Sequence, residues 1–108
     1  MKINFLIGFA ILGLSIASAK SYEISVDTVS KVGNVQLQPG EYKVTLNGSQ
    51  VKFTDENSGK AVETTGTVET NAAKTKFDAT AVETDQSNGV TTVHEIDLGG
   101  TRTDIKFQ

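Results

Sequence analysis

The sequence predicts an all-β protein. It reads as an antiparallel meander of about seven or eight short strands, closed into a small sandwich or flattened barrel behind an N-terminal signal peptide. Three observations predict this. Beyond Ala19, apolar and polar residues alternate in short runs. Glycine, asparagine and the single proline fall between the runs. Helical periodicity is almost absent from the same stretch.

Composition narrows the class further. The chain has 108 residues, one histidine and no cysteine, with 10 basic against 13 acidic residues and a net charge of −3. This length suits one domain. Without cysteine there is no disulfide, no thiolate nucleophile and no cysteine-ligated metal. One histidine excludes a site that needs two imidazoles from one chain. With no basic stripe, nucleic acid is not an expected partner.

Met1 and Lys2 give a short positive start, Phe5 to Ile16 is apolar apart from glycine and one serine, and Ala17-Ser18-Ala19 has the small-x-small pattern of a signal-peptidase site. The apolar run is too short for the roughly 20 residues of a membrane-spanning helix. Residues 1–19 are therefore expected to be a cleaved signal peptide, and residues 20–108 a single exported domain with no membrane span, periplasmic or secreted and of bacterial source. Such a domain, lacking disulfides, depends on an apolar core alone.

Each run then takes a place in the meander. Tyr22, Ile24 and Val26 share one face of a first strand. Pro39-Gly40 suits a type II turn. Tyr42, Val44 and Leu46 form the next apolar face, and Val51 and Phe53 the one after. A two-residue loop at Asn47-Gly48 would set Val44 against Val51, Tyr42 against Phe53 and, less favourably, Lys43 against Lys52. Asn57-Ser58-Gly59 suits a longer loop. Val62, Thr64 and Val68 share a phase, with Gly66 at a bulge or bend. Thr70 to Lys76 has no alternation and reads as a loop or as one helical turn capped by Asn71.

Asn88-Gly89 suits a type I′ loop, which would set Ala79 against Leu98, Ala81 against Ile96 and Glu83 against His94. Val90, Ile96 and Leu98 then share the apolar phase, while Val82, Val93, Glu95 and Asp97 take the opposite face. A loop at Gly99-Gly100 would pair Ile96 with Thr103 and His94 with Ile105, and Ile105 and Phe107 close the last strand.

The one candidate polar site is Glu83 with His94, a carboxylate that could orient a general base. The bland reading is a cross-strand polar pair, and no serine or threonine stands in a nucleophile elbow. In His94-Glu95-x-Asp97, strand alternation turns Glu95 and Asp97 away from His94. Asp55-Glu56-Asn57 and Asp85-Gln86-Ser87-Asn88 are oxygen-rich, but lack the length and closing glutamate of an EF-hand. No catalytic residue, cofactor or metal site is expected.

The segments Leu37-Gln38-Pro39-Gly40-Glu41-Tyr42-Lys43-Val44 and Val93-His94-Glu95-Ile96-Asp97-Leu98-Gly99-Gly100-Thr101, with the closing Ile105-Lys106-Phe107, resemble a group of small exported bacterial β-rich proteins. In that group a PGEY strand follows a signal peptide and an LGGT hairpin ends the chain. The PGEY piece is also similar to one strand of transthyretin-like sandwich modules. No activity is attached to the group, so the resemblance implies export and a β fold but no site. The expected function is a non-catalytic binding or structural module of the cell envelope, with a protein or a small apolar ligand as partner. The alternatives are a small barrel carrying an apolar ligand lined by Tyr42, Phe53, Phe77 and Phe107, and an enzyme using His94 and Glu83.

Overall fold

The computed structural model describes residues 20–107, so the expected signal peptide lies outside the described residues. Ten strands form two sheets. They are β1 (Ser21–Val26), β2 (Ser30–Val32), β3 (Val35–Leu37), β4 (Gly40–Asn47), β5 (Gln50–Asp55), β6 (Ala61–Thr65), β7 (Thr67–Thr70), β8 (Ala81–Ser87), β9 (Val90–Asp97) and β10 (Thr103–Lys106). The first sheet has the order β1-β4-β5-β6, every pair antiparallel. In the second sheet β9 is the hub. β8 runs along one edge of it, while β2 and β10 share the other, one beside each half. β3 and β7 extend β2 and β10 outward. β2 runs parallel to β9, and the β2–β3 hairpin is too short to produce readable alternation.

The two sheets enclose one core, as in a sandwich. Ile24, Tyr42, Val44, Val51 and Phe53 come from the first sheet, and Val32, Leu37, Val93, Ile96, Leu98, Ile105 and Phe107 from the second sheet or its flanks. Phe53 and Phe107 join the halves, their ring centres 6.3 Å apart and tilted by 44°. The chain crosses between sheets after β1, β3 and β6. At the last crossing Gly66 is the bend, because a β-carbon there would lie 2.6 Å from Ile105 Cγ2.

Pro39-Gly40 makes the β3-to-β4 crossing rather than a type II turn. Gly40 has φ 154° where that turn needs about +80°. Tyr42 Oη donates to Gln38 O across this corner at 2.7 Å. A tyrosine tied back to upstream backbone in this way is a corner device of β-sandwiches.

Two hairpins keep their expected faces but shift register by two residues. In β4–β5, Asn47 pairs with Gln50, so the loop residues are Gly48 and Ser49. Gly48 has φ 66° while Ser49 is not in the positive-φ region, a pattern that suits a II′ rather than a I′ turn. Val44 therefore faces Phe53, Leu46 faces Val51, and Lys43 meets Thr54 instead of Lys52. The shift removes a like-charge pair. In β9–β10, Leu98 N donates to Thr103 O at 3.1 Å across a longer loop, and Ile96 meets Ile105 rather than Thr103. The segment between β7 and β8 contains no helix; Asn71 Oδ1 accepts from Ala73 N at 2.9 Å and holds a turn.

Candidate functional site

The β8–β9 hairpin starts as its turn dictates. Asn88 and Gly89 have φ 55° and 78°, as a I′ loop requires, and Ser87 pairs with Val90. Pairing continues to Thr84 opposite Val93, and then β9 bulges. Glu83 meets Glu95, Val82 meets Ile96 and Ala81 meets Asp97, leaving His94 as the extra residue.

The cause lies in the core. Thr91 and Val93 are buried on one side of the bulge, Ile96 and Leu98 on the other, and the two pairs have opposite parity. A continuous strand would expose one pair, whereas an inserted residue turns both inward. Val90, expected in phase with Ile96, is accordingly 46% exposed, and Val82 packs against the core instead of Ala79 and Ala81.

The expected Glu83–His94 contact is therefore overturned. The ion-pair neighbour of His94 is Asp85, with Nε2 3.7 Å from Oδ2 and both side chains well exposed. Of the two oxygen-rich stretches, the first follows turn chemistry, with Asp55 Oδ1 accepting from Asn57 N at 2.8 Å and from Ser58 N at 3.2 Å, while Asp85, Gln86 and Ser87 of the second belong to β8.

What the bulge brings together is a carboxylate cluster on the second sheet, on the side away from the core. Glu83 on β8 and Glu95 and Asp97 on β9 each offer an oxygen, all within 4.8 Å of one another. Glu83 is exposed, Glu95 half-buried and Asp97 buried. Asp104 on β10 lies directly opposite Asp97 and is 4% exposed. Oδ1 of Asp97 and Oδ1 of Asp104 are both buried without a hydrogen-bond partner.

Lys106 stands directly opposite Glu95, but its ion pairs, like that of Lys74, are with other carboxylates. Lys106 Nζ lies 2.7 Å from Glu69 Oε1 and 3.7 Å from Asp104 Oδ1, and Lys74 Nζ lies 4.0 Å from Asp104 Oδ2. The Glu95 carboxyl is pushed up to about 7. The largest cause is Asp97 as acceptor for the protonated form; burial and the charges of Asp97, Glu83 and Asp104 add to it.

Sequence reasoning placed Glu95 and Asp97 together, away from His94, but missed Glu83 as their neighbour. The signal was the three-residue step from Val93 to Ile96, which no unbroken strand can bury on one face. The fold and cluster define a small β-sandwich with an acidic outer face. Comparison with protein-family models, curated proteins and solved structures finds no match.

Proposed function

We propose that the chain is a non-catalytic, exported binding or structural module of the cell envelope. The observation that carries this reading is the bulge at His94, which pairs Glu83 with Glu95 and leaves the imidazole beside Asp85, where both side chains are well exposed. The interior adds support. Tyr42, Phe53 and Phe107 lie within the buried core cluster, and only Phe77 lies outside it, half-buried beneath Lys74. That packing favours a filled core over a ligand-lined barrel. The charged start, apolar run and Ala17-Ser18-Ala19 support export.

The full chain, expressed with a C-terminal tag in an exporting bacterial host, should be recovered outside the cytoplasm with Lys20 as its first residue. Full-length protein held in the cytoplasm would overturn export. Purified protein should leave chromogenic ester, phosphate, glycoside and peptide substrates untouched. Turnover that disappears in His94→Gln would overturn the non-catalytic reading.

A further inference from the structure

We propose that Glu83, Glu95 and Asp97 bind a hard divalent cation, with Ca²⁺ the best-fitting ion. Cation binding there is independent of where the chain resides.

The donors decide the class of ion. All three residues offer carboxylate oxygen, and the imidazole of His94 lies instead beside Asp85. All-oxygen sets suit Ca²⁺, Mg²⁺ and Mn²⁺ rather than zinc or copper, which take nitrogen and sulfur ligands. The number of carboxylates favours Ca²⁺, which accepts several at about 2.3–2.6 Å in a flexible shell, and three oxygens within 4.8 Å of one another can share one such ion. Mg²⁺ is held through one or two carboxylates and keeps most of its water.

A second observation points to a ligand. Asp97 is 8% exposed, yet its Oδ1 has no hydrogen-bond partner. A buried carboxylate oxygen without a partner is costly, more so beside two further carboxylates. Among the described residues, neither Lys106 nor Lys74 forms an ion pair with any of the three. A cation bound through Asp97 would lower the cost of burying that carboxylate and offset the repulsion together.

The bulge gives the cluster its shape. In the unbroken register Glu83 would face His94; the extra residue puts Glu95 opposite Glu83 instead, with Asp97 on the same face. Exposure grades from Glu83 outward to Asp97 inward, so an ion enters from solvent and water completes its shell.

The test uses the protein as recovered from the exporting host, stripped with EDTA and titrated with CaCl2 by calorimetry and thermal melting, with NaCl at matched ionic strength as control. Saturable binding is expected at about 10⁻⁴–10⁻³ M, the range of extracellular modules. The melting temperature should rise with Ca²⁺ and not with the matched NaCl. Glu83→Gln, on an exposed edge-strand residue, should weaken binding at least tenfold while the protein stays folded. Asp97→Asn should abolish binding. Glu69→Gln, which alters a carboxylate already paired with Lys106, should leave binding unchanged. No saturable binding up to 10 mM Ca²⁺, or equal affinity in Glu83→Gln, would overturn the site; should Asp97→Asn fail to fold, Glu83→Gln alone decides.

Discussion

Phe53→Ala is the sharpest probe of how the two sheets hold together. Phe53 is fully buried on β5, which lies inside the first sheet between β4 and β6. Its ring packs against Phe107 from beyond β10, and its cross-strand partner is Val44. Truncating a buried phenylalanine costs about 3–5 kcal/mol, and the value depends on how far neighbours collapse into the space. Collapse is restricted here. β5 is hydrogen-bonded on both edges, and the Phe107 amide donates to His94 O at 3.0 Å. The loss should therefore be about 4 kcal/mol, including roughly 0.5–1.5 kcal/mol from the aromatic pair. A domain of this size has a total stability of roughly 4–13 kcal/mol, so the loss removes from about a third to all of it and the variant should melt far below the parent protein. Urea unfolding followed by circular dichroism measures the difference. Lys52→Ala, an exposed change on the same strand, should stay within about 0.5 kcal/mol. A loss under about 1 kcal/mol for Phe53→Ala would mean that the ring is solvated and the sheets do not pack as described. Additive losses in Phe53→Ala/Phe107→Ala would refute the pairing of the rings.

Other expected outcomes follow from single contacts. Gly66→Ala drives a methyl group into Ile105 at the sheet-to-sheet bend and should cost about 1–3 kcal/mol in urea unfolding. Tyr42→Phe removes the hydroxyl that donates to Gln38 O and should cost about 0.5–1.5 kcal/mol, read as a lower thermal midpoint with an unchanged fold. The Glu95 carboxyl, raised to about 7, is faced by Glu83 on β8, Asp97 on its own strand, Lys106 and Asp104 on β10 and Glu69 on β7, with Lys74 near Asp104. The folded protein holds this proton more tightly than the unfolded chain, so stability in EDTA is highest below about pH 4.5 for this group and falls as pH rises through about 7. Solvent access reduces the change to about 1 kcal/mol. Glu95→Gln should flatten that slope in urea titrations at pH 5 and pH 8; an unchanged slope would place the proton elsewhere.

The class of fold was legible because alternation and turn residues are local. Tyr42, Val44, Val51 and Phe53 share a face in any register, and Asn88-Gly89 accepts positive φ from its own chemistry. The parallel pairing of β2 with β9 was not legible, since three-residue strands carry too little pattern to rank against longer ones. The two-residue shift at Gly48-Ser49 preserves every face, so the apolar pattern cannot distinguish the two registers; the Lys43–Lys52 clash was the clue. The candidate site was half legible. Alternation alone set Glu95 and Asp97 on one face, but their neighbour depended on a bulge.

By itself, then, the sequence determined an all-β chain, the apolar faces of β1, β4 and β5 and the Asn88-Gly89 turn, because each depends on residues a few places apart. Tertiary structure decided which strands became neighbours, where the chain changed sheets at Gly40 and Gly66, and which side chain faced Glu83. The last of these depends on burying Val93 and Ile96 in one core at once. A strand satisfies that demand only by inserting a residue, and the inserted residue, His94, is what brings the three carboxylates together.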